Sequence, residues 1–156
     1  MPESSGNSSG KLGFDALNAA LKAAGEETRL RVLALLSEAE LTVSDLTDIL
    51  RQSQPRISRH LKLLTEAGLV ERFREGTWAF FRLAEHGGGA SVARALLERL
   101  DPTDQTIARD RARAARGPVD IGPARRDFGF APKIDHREGI RRMVEAARAA
   151  RDFRTC

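Results

Sequence analysis

A mainly α fold with one small β-hairpin is what this sequence predicts, and three observations carry the prediction. Apolar residues recur at three- and four-residue spacing through most of the first hundred positions. That period is lost only between Val70 and Leu83, where aromatic and charged residues crowd around Glu75-Gly76. Gly25, Gly68 and Gly117-Pro118 fall where helices would stop. At 156 residues with 41% apolar content, the chain can bury roughly two-thirds of its unfolded surface, enough for a real core.

The elements follow in order. Residues 1–12, rich in Ser and Gly, read as a disordered tail with neither a cationic start nor an apolar segment, so neither a signal nor a transit peptide. Phe14, Leu17 and Leu21 define a first helix, with Ala16, Ala20 and Ala23 keeping it thin and Gly25 ending it. A second helix runs from about Glu27 to Ser37, with Leu30, Leu33, Ala34 and Leu36 as its apolar positions. Thr42 is a good N-cap for a short third helix to Leu50: its hydroxyl can accept from the Asp45 amide, and the Asp45 carboxylate suits the positive helix end. Ser53 is expected to cap a fourth helix, with Pro55 in the first turn, where a missing N–H costs nothing, and Gly68 as its stop. Val70–Arg74 and Trp78–Leu83 read as a hairpin. Gly87-Gly88-Gly89 reads as a flexible break before a fifth helix carrying Val92, Leu96, Leu97 and Leu100 on one side. Asp101–Arg116 reads as a further helix without a clean amphipathic seam, expected to be a solvated extension near the dimer, with extra phosphate contact as the alternative. Two helices joined by a tight Arg51-Gln52 turn and followed at once by a two-stranded wing make a winged helix-turn-helix. The implied organisation is a tail (1–12), a DNA-binding domain (13–100) and a basic, largely helical extension (101–156).

Charge sharpens the functional reading. Of 26 Lys and Arg against 22 Asp and Glu, residues 11–100 hold 13 cations and 12 anions, and residues 101–156 hold 13 and 9. The basic excess therefore belongs to the C-terminal third. Phosphate neutralisation is local, however, and Arg51–Lys62 carries four cations (Arg51, Arg56, Arg59, Lys62) and no acid. On a helical wheel Ile57, Leu61 and Leu64 form the buried stripe, leaving Arg56, Ser58, Arg59 and Lys62 outward, with Gln54 near the helix start. In a major groove Gln and Arg can make bidentate contacts to adenine or guanine edges, and Ser can reach base or phosphate. His60, at the edge of the stripe, fits either a locally hydrogen-bonded packing residue or a base or phosphate contact. Arg72 and Arg74 precede the hairpin turn, where a wing tracks the DNA backbone or enters the minor groove. Phe73, Trp78, Phe80 and Phe81 fit packing better than base stacking, because Glu71 and Glu75 interrupt the basic surface.

Four segments, ETRLRVLALL (27–36), ELTVSDLTDIL (40–50), SQPRISRHLKLLTEAGLV (53–70) and VERFREGTWAFFRL (70–83), resemble the ArsR family of bacterial winged-helix repressors across roughly residues 13–100. The resemblance implies a homodimer formed by the first and last helices of the domain, a palindromic double-stranded operator, and release of the promoter when an effector binds. By position it places Gln54, Arg56, Ser58, Arg59 and His60 in the reading helix, and Arg72, Arg74, Gly76 and Thr77 in the wing. Arsenic-sensing members carry thiolates in the segment matching Leu41–Leu46, whereas Thr42 and Ser44 stand here, and hydroxyls are poor ligands for soft metals. Zinc-sensing members place His and carboxylates on the last helix, where Ser91–Leu100 has only Glu98. No metal or other cofactor is therefore expected. Cys156, the single cysteine, permits no internal disulfide. No run approaches the roughly 20 apolar residues of a membrane span, so a cytoplasmic protein with no membrane partner is expected.

Asp120–Glu145 is similar to the C-terminal end of sugar-nucleotide epimerases. That stretch carries no cofactor or catalytic motif, and the chain has no G-x-G-x-x-G and no Tyr, so an enzyme is not expected. The expected function is a sequence-specific transcriptional regulator, a dimeric repressor of the ArsR type without the usual thiolate site. The competing reading is a winged-helix module for protein–protein contact, its basic helix merely solvated.

Overall fold

The computed structural model describes residues 10–116. Most of the N-terminal tail, the epimerase-like stretch and Cys156 lie outside the described residues. The order is α1 (Phe14–Ala24), α2 (Glu27–Leu36), α3 (Val43–Leu50), α4 (Gln54–Glu66), β1 (Val70–Glu75), β2 (Trp78–Leu83), α5 (Gly87–Leu97) and α6 (Gln105–Ala115). This is the mainly α, winged helix-turn-helix architecture that the apolar period predicts.

Helix α2 is the central post. Thr28 and the run Val32–Leu36 are all buried, more than a one-sided stripe would cover, because α1, α4, α5 and α6 surround it. Leu33, Leu46, Ile57, Leu61, Leu64 and Leu69 have essentially no exposed surface, each worth about 1.5–3 kcal/mol in burial. Helix α3 starts with the expected cap. The Thr42 hydroxyl accepts from the Asp45 amide at 3.2 Å, while the Asp45 carboxylate accepts from the Thr42 amide at 2.8 Å and hydroxyl at 2.7 Å. Ser53 does stand at the N-cap of α4, but its side chain makes no capping bond; Pro55 in the first turn already removes one orphan donor. At the other end Gly68, at φ +71°, lets the Leu69 amide reach the Leu64 carbonyl (3.0 Å) and its own amide the Thr65 carbonyl (3.0 Å), a Schellman closure.

Two expectations change. The three glycines after His86 are no break but the first turn of α5. A Cβ on Gly89 would lie 2.2 Å from the Gly68 carbonyl oxygen, so the bare backbone lets α5 start hard against the end of α4. Helix α6 is not a solvated extension either. Ile107, Asp110 and Ala114 are buried, and the helix packs on α2 and α3. Asp110 receives two bonds from the Arg31 guanidinium, at 2.7 and 2.8 Å, and that hydrogen bonding, against some desolvation, raises the Arg31 pKa further. Arg111 pairs with Glu38, and Arg113 donates to the Ile49 carbonyl at the end of α3 (3.2 Å).

Candidate nucleic-acid interface

The reading helix is aimed by the turn before it. Arg51 takes up φ +54°, ψ +46°, a left-handed residue that reverses the chain within two positions. The Gln52 side chain then anchors that turn to α2 by donating to the Thr28 hydroxyl at 2.9 Å. Helix α4 sets Ile57, Leu61 and Leu64 into the core, as the wheel predicts. Spaced between them, Gln54, Arg56, Ser58, Arg59 and Lys62 are all exposed. The side chains of Gln54, Arg56, Ser58 and Arg59 make no hydrogen bond or ion pair among the described residues, and Lys62 has only a solvated partner in Glu66 at 3.8 Å. The face is a row of donors with its hydrogen-bonding capacity unspent.

His60 stands apart from that row. It is half-buried and turned toward the body of the domain, its Nδ1 at 3.5 Å from Arg29 and 3.7 Å from the Glu26 carboxylate. Arg29 is itself committed to the end of α1, donating to the Lys22 and Ala23 carbonyls. Burial pushes the His60 pKa below its ordinary value; Glu26 opposes this, while Arg29, Arg56 and Arg59 add to it. Burial pushes the Glu26 carboxyl up, but bonds from the Arg29 and Thr28 amides and the nearby imidazole bring it below the ordinary range.

The hairpin pairs Val70 with Leu83 through to Glu75 with Trp78, and its strand alternation decides which side chains meet α4. Val70, Arg72 and Arg74 share a face with Ala79, Phe81 and Leu83. Phe81 is buried and its backbone pairs with Leu41 (2.8 and 3.1 Å), tying the wing root to the entry of α3. Between this inner face and α4 lies an open groove. Leu61, Ala79, Phe81 and Val43 supply its apolar lining, and Ser58, Lys62, Thr65 and Glu66 of α4 with Arg72 of β1 its polar lining. The structure thus brings Arg72 across from Ser58 and Lys62. Arg74 is exposed farther out along the same strand, with Gly76 and Thr77 exposed at the tip. Thr65 joins this lining too, and its spacing of three from Lys62 and seven from Ser58 is the sequence signal that places it on the same side of α4.

On the opposite face Phe73 and Phe80 stack at 5.7 Å with Arg82 5.0 Å above Phe73. Arg82 is further paired with Glu40, Glu71 and Glu85. Those aromatics pack with one another, and the hairpin's free cations all lie on the α4 side.

The chain is similar to known regulatory proteins. The family model described as "bacterial regulatory protein, arsR family" matches residues 26–72. The arsenical resistance operon repressor of Escherichia coli K12 is 52% identical over 66 residues, 42% of this chain and 56% of that protein. The HTH-type transcriptional regulator MJ1325 of Methanocaldococcus jannaschii is 43% identical over 65 residues, 41% of this chain and 73% of that protein. Among solved structures, the transcriptional repressor BigR of Xylella fastidiosa is 31% identical with a TM-score of 0.49, covering 54% of this chain and 82% of that one. The chain thus spans little more than half the length of the arsenical repressor, and all of these relatives are named as regulators rather than enzymes.

Proposed function

The chain belongs to the ArsR family of bacterial regulatory proteins, and from that premise we propose that it is a sequence-specific DNA-binding regulator, a dimeric repressor acting in the cytoplasm. The observation that carries the reading is the outer face of α4. Gln54, Arg56, Ser58 and Arg59 stand exposed with no side-chain hydrogen bond or ion pair among the described residues, and Lys62 and Arg72 line the groove behind them. In this reading the first four side chains meet base edges in the major groove. Lys62, Arg72 and Arg74 meet phosphates, and Gly76 and Thr77 bring the wing tip close to the backbone. His60 buttresses the helix from behind through Glu26 and Arg29.

Dimerisation is supported by what α1 leaves uncovered. Only Ala20 and Ala24 of that helix are buried, while Phe14 is 83% exposed, with Leu17 and Leu21 close to half. Packed beside it, α5 keeps Val92, Leu96 and Leu97 only half-buried. A second copy over this face would give two reading helices related by a two-fold axis, hence a palindromic operator. The chemistry at the start of α3 separates this chain from thiolate sensors. Thr42 has its hydroxyl committed to the Asp45 cap in both directions, and Ser44 offers only a second hydroxyl. Release would then depend on an effector of another kind.

The test is duplex selection from a random pool by the full chain, followed by anisotropy titration against salt. The expected result is enrichment of a palindrome, with affinity falling by a factor on the order of a thousand between 50 and 200 mM salt. An enrichment-free pool with salt-insensitive binding would defeat the proposal and favour a protein–protein module.

A further inference from the structure

We propose that α6, which lies beyond the winged helix itself, is a positioning element for the reading head, acting through Asp110 and Arg113. The proposal rests on the DNA-binding reading above. The two side chains lie one turn apart on α6; Asp110 grips α2, onto which the helix-turn-helix turn is anchored, and Arg113 grips the end of α3, from which the turn leaves. Asp110, 1% exposed, is held by the paired Arg31 bonds to α2. Arg31 lies three residues, just under one helical turn, beyond Thr28, the residue that receives Gln52 from the turn. Arg113, 3.6 Å from Asp110, reaches the Ile49 carbonyl at the last turn of α3, two residues before left-handed Arg51. A cation donating to orphan carbonyls at a helix C-terminus both satisfies them and complements the dipole. The Arg51-Gln52 turn is therefore fixed from two sides, by Gln52 onto α2 and by Arg113 onto the end of α3, and Asp110 joins the two anchors. The direction of α4 depends on that turn. Neither Asp110 nor Arg113 borders the groove between α4 and the wing, so neither acts by touching DNA.

The experiment compares the full chain with its Arg113→Ala and Arg113→Lys variants, using the duplex that the wild type selects from a random pool. Arg113 is about one-third exposed, so its truncation is expected to leave the fold intact, checked by circular dichroism. Amide hydrogen exchange is measured across residues 50–57 without DNA. Arg113→Ala is expected to speed exchange there and to weaken specific binding roughly tenfold. The slope of log affinity against log salt stays that of the wild type, because no phosphate contact is lost. Arg113→Lys, which keeps a donor, recovers part of both effects. Unchanged exchange and affinity in Arg113→Ala would overturn the proposal, as would a salt slope reduced by about one, the mark of a direct phosphate contact. The exchange measurement stands without DNA. If the wild type selects no sequence, the functional reading fails, and faster exchange at the turn still reports the anchoring.

Discussion

Helices α4 and α6 each carry three cations (Arg56, Arg59 and Lys62 on one; Arg109, Arg111 and Arg113 on the other), yet they use them in opposite ways. On the outer side of α4 the only ion-pair partner among the described residues is Glu66, solvated at the helix's far end and 3.8 Å from Lys62. Glu26 lies on the inner side against His60, so Arg56 and Arg59 project unpaired among the described residues. Around α6, Glu38 of the neighbouring segment takes Arg111, and the Ile49 carbonyl with Asp110 takes Arg113. A basic helix is thus defined as a binding face or as a structural clasp by the acceptors its neighbours supply, and those neighbours are remote in sequence. The high pI of about 10 reports on neither helix.

Breaking the clasp is the strongest way to test the contrast. Asp110→Ala leaves Arg31 half-buried without its bidentate partner, and stability should fall by about 3–5 kcal/mol. Urea unfolding followed by circular dichroism measures it. A loss below about 1 kcal/mol would mean that α6 contributes as little as an exposed ion pair does.

The same contrast explains what could be read in the sequence. The reading head is locally encoded: the Thr42–Asp45 cap, Pro55, Gly68 and the Glu75-Gly76 turn each act within a few residues, so elements and exposed face follow from spacing. The clasp is not, because Asp110 and Arg31 are 79 positions apart and Arg111 and Glu38 are 73 apart. Without the fold, an Arg-Ala repeat looks like a solvated helix. The Gly87-Gly88-Gly89 run hides its role for a related reason: the bare backbone of Gly89 serves a close approach to Gly68, and only the fold reveals that approach. His60 is ambiguous in the sequence because it sits at the edge of the stripe, and its orientation depends on Arg29 of α2 and on Glu26 at that helix's N-cap.

On α4 the expected losses appear in binding instead. Ser58→Ala and Arg59→Ala should each cost roughly 1–3 kcal/mol of discrimination for the selected duplex and leave binding to random duplex nearly unchanged. Competitive anisotropy against both duplexes measures this, and equal losses on both would demote these residues to backbone contacts. Arg74→Ala should behave in that second way: all sequences weaken about equally and the salt slope falls by about one. An unaltered slope would take the outer wing off the phosphates.

The smallest effect is expected at His60, on the inner side of the reading helix. Its lowered pKa means that the folded state binds the proton less readily than the unfolded chain, whose imidazole titrates near the ordinary 6.5. The contribution is therefore fully present above pH 6.5 and is lost as pH falls through the lowered folded value. In His60→Gln that part of the pH dependence should disappear, seen as a flatter urea midpoint across mildly acidic pH. Duplex affinity at neutral pH should stay at the wild-type level, since the side chain faces Glu26 and Arg29. A loss of affinity at neutral pH with the stability profile unmoved would instead turn His60 outward and add it to the face that α4 presents to DNA.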